Sequence, residues 1–184
     1  MFKKFSPSSD VSGHVPMKSS VQRNLRATIL SQWKIEPETL EAIWPKKEGL
    51  VHAKCREHIA IYTVHGEPLF VQHFDGPFMP TLRLLHKYPY ILPSVKIDRG
   101  AIRFLLAGAN MMCPGLTSKG GWLPPSEEGI PAGAVVAIHA EGKEHAVGVG
   151  LTKMSTEDIK RINKDVGVET LVYLGDDLWD LKTL

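Results

Sequence analysis

Cysteine, long apolar runs and a large net charge are all scarce in this 184-residue chain. Its only two cysteines, Cys55 and Cys113, cannot build a disulfide framework, and we expect both to be free thiols in a reducing compartment. No apolar run approaches the roughly eighteen residues of a transmembrane helix, and the N-terminus lacks the apolar core of a signal peptide. These absences predict a soluble cytosolic protein with no membrane partner.

The charge balance excludes a bulk polycation. The net charge is only +2, which is too small to argue for nucleic-acid binding by itself. Residues 1–93 carry twelve Lys and Arg against eight Asp and Glu, or +4, whereas residues 94–184 carry ten against twelve, or −2. Any RNA contact in the second half therefore needs a local basic patch.

The first half of the chain predicts an α+β domain over 17–92. A Ser- and Pro-rich stretch over 1–16 precedes it, which we expect to be poorly ordered, although Phe2 and Phe5 could pack on the domain. Ser19 and Gln22 have the spacing of a capping box. The helix that they open should bury Val21, Leu25, Ile29 and Trp33. The elements that follow are a helix from Pro37, strands near 50–54, 58–64 and 69–74, and a helix capped by Thr81.

Residues 98–118 are the most informative stretch of the second half. After a strand, a helix is predicted over 99–107. Its apolar face should consist of Ala101, Ile102, Leu105 and Leu106. Gly108 ends this helix, because glycine adopts the left-handed cap conformation without strain, and Pro114-Gly115 indicates a turn.

The remaining chain predicts a small α+β domain over 93–184. Its segments are an extended loop over 119–133, a hairpin of 134–140 with 146–151, a helix capped by Ser155 and a strand over 169–174. The helix should bury Ile159, Ile162 and Val166 and end at Gly167.

Candidate metal and catalytic residues lack the partners that such chemistry needs. Cys55 and His58 have the spacing of metal ligands, but a structural zinc takes four ligands and no second Cys/His pair follows. Cys113 could present a thiol near His139 or His145, yet no activating base can be placed beside it. We therefore expect no metal, no cofactor, no small-molecule substrate and no enzymatic activity.

Lys96, Arg99 and Arg103 form the most suggestive basic group. Arg99 and Arg103 are four residues apart, so their guanidinium groups should share a helix face and repel each other. An RNA phosphate backbone would relieve this repulsion. An ordinary solvated helix surface explains the same pattern, and these residues alone do not separate the two interpretations.

Several motifs, in order along the chain, resemble one known family. Residues 100–116, with Gly-Ala-Ile-Arg-Phe and Gly-Ala-Asn-Met-Met-Cys-Pro-Gly-Leu, resemble the signature of the PUA domain, an RNA-binding module. The further motifs are Met1-Phe2-Lys3-Lys4-Phe5, Pro45-Lys46-Lys47, residues 75–89, residues 140–146 and Asp177-Leu178-Trp179. Together they are similar to the malignant T-cell-amplified sequence family of translation factors over nearly the full length.

This resemblance implies an N-terminal α+β domain followed by a PUA pseudobarrel of about six strands with two short helices. It implies a non-catalytic cytoplasmic factor that acts with density-regulated protein on the small ribosomal subunit, in reinitiation, non-standard initiation and the recycling of tRNA and subunits. Ribosomal RNA or tRNA is expected at Lys96, Arg99, Arg103, Gly108, Ala109, Asn110 and Met111, with Lys143 and His145 bordering the same groove. Partner contacts are expected among Phe70, Phe74, Phe78 and Leu82.

Two other functions stay open at this point. A PUA module can be the RNA-binding accessory of an RNA-modification enzyme, although residues 1–93 offer no convincing catalytic pair. A binder of proteins alone would have weak RNA affinity that is insensitive to charge reversal at Arg99 and Arg103. The chain also departs from the family pattern where Lys119 follows Ser118, because a proline-directed kinase could not recognise that serine.

Overall fold

The computed structural model describes residues 1–184, which fold into two α+β domains. The elements of the N-terminal domain are α1 (Pro7–Asp10), β1 (Val11–Pro16), α2 (Ser19–Trp33), α3 (Pro37–Ile43), β2 (Val51–Cys55), β3 (Ile59–Val64), β4 (Glu67–His73), β5 (Met79–Pro80) and α4 (Leu82–Lys87). The five strands form one antiparallel sheet in the order β1-β2-β3-β4-β5. The predicted hairpin of 58–64 with 69–74 is confirmed as β3 and β4.

The C-terminal domain carries a second five-stranded sheet. Its elements are β6 (Ser94–Ile97), α5 (Ile102–Leu105), β7 (Met111–Met112), α6 (Cys113–Thr117), β8 (Val135–Ala140), β9 (Gly148–Thr152), α7 (Thr156–Ile162), β10 (Val166–Tyr173) and α8 (Asp177–Asp180). The strand order is β6-β8-β9-β10-β7, in which only β6 and β8 are parallel. The α+β class is confirmed, and the sheet has five strands where about six were expected.

Helix α2 has most of its predicted buried face but not its predicted N-cap. Leu25, Ile29 and Trp33 are buried, as predicted, because they recur at helical spacing on the face that meets the sheet. The capping-box prediction is wrong: the N-cap is Lys18, and the Gln22 side chain donates to the Met17 carbonyl oxygen at 2.7 Å. Val21 was also expected in the core and is 46% exposed.

The N-terminal segment differs from the prediction of poor order over 1–16. Phe2 is fully buried, and its ring centroid lies 5.3 Å from that of Phe5. The Phe5 N–H donates to Asp177 Oδ2 at 2.6 Å, and β1 pairs along its length with β2. These partners are remote in sequence, so composition alone could not reveal them.

The predicted helix over 99–107 is shorter and less buried than its periodicity suggested. A 3₁₀ turn over Arg99–Ala101 precedes α5, and Asp98 Oδ1 caps it by accepting from the Ala101 N–H at 2.9 Å. Leu105 is fully buried, but Leu106 is 44% exposed. The predicted turn at Pro114-Gly115 is instead part of α6, whose first turn tolerates proline because it leaves that N–H unpaired in any case.

Helix α7 follows its capping prediction but not its predicted end. Ser155 Oγ accepts from the Asp158 N–H at 3.1 Å, and Ile159 is fully buried. The helix ends at Asn163, which has a left-handed φ of 49°, and Gly167 lies inside β10. Ile162 is consequently 43% exposed, where a buried side chain was expected.

The two domains share a hydrophobic core. A cluster of 29 buried residues contains the N-terminal core together with Val135, Ala137, Ala146, Val149, Leu171, Val172 and Leu178 of the C-terminal domain. A second cluster of 14 residues lies wholly within the C-terminal domain. No helix is long and apolar enough to cross a membrane.

Residues 175–184 extend this contact by packing back on the N-terminal domain. Arg83 Nε donates to the Trp179 carbonyl oxygen at 2.8 Å, and the guanidinium carbon lies 4.4 Å from the Trp179 ring centroid. The Leu184 N–H donates to the Gly66 carbonyl oxygen at 2.9 Å. The C-terminal tail therefore joins the two domains from outside, while the shared core joins them from within.

Asp176 holds the start of this tail. Its carboxylate is 3% exposed and accepts hydrogen bonds from the Trp179 N–H at 2.8 Å and the Tyr173 N–H at 3.0 Å. Burial raises the pKa of this carboxyl group to about 6, since desolvation disfavours the charged form more than the backbone donors favour it.

We expect the substitution Asp176→Asn to change the pH dependence of stability. The native pKa exceeds that of the unfolded chain, so this group's contribution to the unfolding free energy is present below about pH 4 and is lost as the pH rises through about 6. The difference in unfolding free energy, wild type minus variant, should fall by up to about 3 kcal/mol between pH 4 and pH 7. Urea denaturation at both pH values measures it. Asp180 is exposed, so Asp180→Asn serves as the control and should give the same difference at both pH values. An equal difference at both pH values for Asp176→Asn would contradict the raised pKa of Asp176.

Candidate nucleic-acid interface

A groove of 690 Å³ runs between the start of α5 and the edge strand β7. Most of its lining residues are small or apolar, among them Gly100, Ala101, Phe104, Ala109 and Met112, and the lining also includes Asp98 and Asn110. Phe104 is 51% exposed and Met112 is 48% exposed, although both are large apolar side chains. Exposed apolar side chains around a groove are typical of a binding surface.

Residues of β10 contact the backbone that forms this groove. Gly108 has a left-handed φ of 86°, and a Cβ at this position would lie 3.3 Å from the Tyr173 ring. Asn110 Oδ1 accepts from the Thr170 N–H at 3.1 Å. Met111 is 2% exposed and belongs to the core of the C-terminal domain, and it also contributes to the lining of the groove. Of the predicted RNA-binding residues here, Gly108 thus supports the groove, while Ala109, Asn110 and Met111 line it.

Arg99 and Arg103 are exposed near the groove, but they do not share a face as the helical spacing predicted. The Arg103 guanidinium carbon lies 4.7 Å from the Phe104 ring centroid. Arg99 extends across the β8–β9 turn, where its Nη2 lies 2.7 Å from the position of a Cβ on Gly142. The two guanidinium groups lie in different places because Arg99 is part of a 3₁₀ turn and not of an α-helix. Neither guanidinium group has an acidic partner within 4 Å.

Lys143 and His145 lie in different places. Lys143 lines a second cleft together with Lys96. The His145 ring instead lies 5.1 Å from that of His86 of α4, at the junction of the two domains. The structure therefore separates His145 from the groove residues with which the sequence grouped it. Phe104 and Met112 were missed, because nothing in a helical or strand pattern distinguishes an exposed apolar residue from a buried one.

Three of the four predicted partner-binding residues are part of the core. Phe70 is fully buried, Phe78 is 7% exposed and Leu82 is 3% exposed, so the prediction that they form a contact surface is wrong for these three. The pattern of apolar and polar residues along β4 could not show that α2 packs on the sheet and that Trp33 contacts Phe70. Phe74 is the exception, because it is 59% exposed and lies just beyond the end of β4.

Comparison with known proteins places this architecture in a family. Residues 5–89 match the model of the Pre-PUA-like domain, and residues 93–174 match the model of the PUA domain. Malignant T-cell-amplified sequence 1-A of Xenopus laevis is 50% identical over 183 residues, which is 100% of this chain and 99% of that protein. Malignant T-cell-amplified sequence 2 of Homo sapiens is 50% identical over 184 residues, with 100% and 99% covered. The chain belongs to the malignant T-cell-amplified sequence family.

Other relatives of this family member extend the comparison. Translation machinery-associated protein 20 of Schizosaccharomyces pombe is 46% identical over 179 residues, covering 97% of each chain. Among solved structures, a hypothetical protein from Pyrococcus horikoshii has a TM-score of 0.73 at 20% identity, covering 92% of this chain and 99% of its own. A PUA-domain protein from Aeropyrum pernix has a TM-score of 0.70 at 24% identity, covering 92% and 90%. These two structures support the fold alone.

The thiols of this family member are in environments that oppose nucleophilic reactivity. Burial raises the pKa of the Cys113 thiol, and Sγ donates to the Lys164 carbonyl oxygen at 3.2 Å. Burial and the nearby carboxylate of Asp10 raise the pKa of the Cys55 thiol to about 11. The thiolate is the reactive form, so both shifts disfavour it at neutral pH. No three His, Cys, Asp or Glu side chains cluster in a way that suits a metal ion.

Proposed function

We propose that this protein is a non-catalytic translation factor that binds the small ribosomal subunit through its PUA domain and density-regulated protein through its N-terminal domain. Support comes from family membership over the full length and from the name of the Schizosaccharomyces pombe relative, translation machinery-associated protein. The proposed processes are reinitiation, non-standard initiation and the recycling of tRNA and subunits, in the cytoplasm.

The observation that carries the RNA part of this proposal is the groove beside two unpaired arginines. Ala109 and Asn110 present main chain and a short side chain, so a sugar-phosphate backbone can approach closely. Arg99 and Arg103 stand beside the groove without acidic partners and would contact phosphates. Phe104 and Met112 provide exposed apolar surface for the faces of unpaired bases.

For the partner, the N-terminal domain offers an exposed aromatic group at the end of β4. The Phe74 ring stacks on His58 with centroids 4.4 Å apart and lies 4.6 Å from His73. The Phe74 N–H donates to the His58 carbonyl oxygen at 2.9 Å, which fixes a residue whose φ of 51° is otherwise unfavourable. A held aromatic side chain loses little entropy on binding, so Phe74 is our candidate anchor for density-regulated protein.

We expect the double substitution Arg99→Glu/Arg103→Glu to remove binding to small ribosomal subunits while leaving the complex with density-regulated protein intact. Each change replaces a phosphate-contacting cation with an anion, so the loss should exceed about a hundredfold at physiological salt. Co-sedimentation of the full chain with small subunits, with and without the partner, measures the first effect. Size-exclusion chromatography of the heterodimer measures the second.

A matched control is available on the same domain. Lys153→Glu/Arg161→Glu makes the same change in charge at two exposed residues that lie outside the groove, and it should sediment like the parent. Equal sedimentation of the parent and the Arg99/Arg103 variant would refute the proposed RNA face. Failure of the parent to sediment at low salt with the partner present would refute the ribosomal function itself.

A further inference from the structure

A second cleft on the PUA domain, lined by one exposed tryptophan and several basic side chains, has no assigned role. Its volume is 320 Å³, at the lower limit for a small-ligand site. The cleft, which we call the Trp122 cleft, is lined by Ser94, Val95, Lys96, Trp122, His139 and Lys143. Lys96 and His139 lie opposite each other on the adjacent parallel strands β6 and β8.

Trp122 is both exposed and held in place. Trp122 is 44% exposed and lies in a loop rich in glycine and proline. Two main-chain hydrogen bonds nevertheless join it to the edge of β6: the Lys96 N–H donates to the Trp122 carbonyl at 2.9 Å, and the Trp122 N–H donates to the Lys96 carbonyl at 2.8 Å. The indole Nε1 has no acceptor within the protein. The fixed main chain keeps this exposed indole at the edge of β6, where it can stack with a planar ligand.

The two charged side chains that line the cleft, Lys96 and Lys143, are both cations and are not neutralised by ion pairs. Neither Lys96 nor Lys143 has an acidic partner within 4 Å. Glu141 is the acidic residue at the adjoining turn, and its Oε2 accepts from the Arg99 N–H at 2.8 Å. Burial lowers the pKa of His139, and the neighbouring His86, His145 and Lys96 add to this effect, so its imidazole is neutral at pH 7 and free to share a hydrogen bond.

The cleft and the groove described above are formed by neighbouring parts of the chain. Lys96 lines the cleft and Gly100 lines the groove, and only three residues separate them in the chain. Between them Arg99 crosses the turn at Gly142, next to Lys143. Arg99 and Lys143 therefore provide cations between the groove and the Trp122 cleft, beside the carboxylates of Asp98 and Glu141.

We propose that the Trp122 cleft binds one nucleotide of a single RNA strand, with its base stacked on the Trp122 indole and its phosphate held by Lys96 and Lys143. This inference rests on the proposed RNA function and adds a subsite to it. An exposed aromatic ring beside cations is the arrangement by which proteins hold single strands without reading their sequence. The volume suits one nucleotide and excludes a folded RNA element.

The test is a titration of the full chain with a single-stranded hexauridylate, followed by tryptophan fluorescence. Trp33 and Trp44 are 2% and 0% exposed and Trp179 is half-buried against Arg83, so the part of the quenching that Trp122→Phe removes is the part that reports on Trp122. We expect Trp122→Leu to bind about tenfold or more weakly, and Trp122→Phe to retain most of the affinity because a ring remains. For Trp122→Leu the affinity is measured with a dye-labelled hexamer by anisotropy.

Two further variants separate stacking from charge. Lys96→Gln/Lys143→Gln should reduce the slope of log affinity against log salt by about 0.7, because the one phosphate that the two lysines hold is no longer neutralised. Lys153→Gln, the control on the same domain, should leave both affinity and slope unchanged. Polyphosphate, which carries charge without bases, should compete poorly with the hexamer.

Each outcome decides the proposal. If Trp122→Leu binds within twofold of the parent while Arg99→Glu/Arg103→Glu loses binding, the subsite is wrong and the RNA groove stands. If polyphosphate competes as well as RNA, the cleft recognises anions only and the stacking proposal is wrong. If the parent itself does not bind the hexamer at low salt, the RNA-binding function and the subsite fail together.

Discussion

Deleting residues 94–184 is expected to unfold the N-terminal domain instead of releasing it as an independent unit. The reason is the shared core, in which Val135, Val149, Leu171, Val172 and Leu178 of the PUA side are buried against N-terminal side chains. A fully buried aliphatic side chain contributes about 1.5 to 3 kcal/mol, so losing several of them removes an energy comparable to the whole stability of a small domain, about 5 to 15 kcal/mol.

The deletion also removes contacts around the first residues. Asp177 binds the main chain of Phe2 and Phe5, and Trp179 covers Arg83. Circular dichroism and differential scanning calorimetry measure the result: residues 1–93 alone should show no cooperative transition, and the full chain should show a single one. Co-expression of residues 1–93 with 94–184 is the control, and it should restore a folded complex. A cooperative transition of the isolated N-terminal fragment near that of the full chain would contradict the prediction.

Phe70→Ala is expected to destabilise the protein by about 3 to 5 kcal/mol, whereas Phe74→Ala should change the stability by less than about 1 kcal/mol. The Phe70 ring is fully buried and lies 5.0 Å from that of Tyr62 and 5.9 Å from that of Phe78. Trp33 and Trp44 complete the cluster at centroid distances of 6.3 and 6.1 Å. Removing the central ring leaves a cavity that these large side chains cannot collapse into.

The same pair of variants separates folding from partner binding. Urea denaturation gives the loss of stability, and chromatography with density-regulated protein at low temperature gives the binding. Phe74→Ala should lose less than about 1 kcal/mol of stability and bind the partner more weakly, because the ring is mostly exposed and packs only on His58 and His73. A Phe74→Ala variant that binds normally would contradict the proposed anchor. Equal destabilisation by the two substitutions would contradict the assignment of Phe70 to the core.

A shared core has a consequence for the proposed function. The groove beside α5 and the Phe74 surface belong to different domains, and the common core holds them in one arrangement. A protein that bridges RNA and a partner benefits from such rigidity, since less conformational entropy is lost when both are bound.

The sequence by itself determined part of the local structure and the family. Thr81 and Ser155 cap their helices as predicted, because a cap needs only an oxygen three residues before the N–H that it accepts from. Leu25, Ile29 and Trp33 reveal the buried face of α2 for the same reason, since helical spacing is a local property. The motifs over residues 1–5, 100–116 and 177–179 were sufficient to indicate the family that the comparisons confirm.

Only the tertiary structure decided which side chains meet across long stretches of chain. Phe70 and Phe74 look alike in the sequence, and burial under α2 makes one a core residue while the other stays exposed. Lys96 and Trp122 form a cleft because the loop containing Trp122 pairs with β6, and no local pattern encodes that pairing. The N-terminal segment is held by Asp177, over 170 residues away. Burial and electrostatic environment depend on such distant contacts, whereas periodicity and capping depend only on neighbours in the chain.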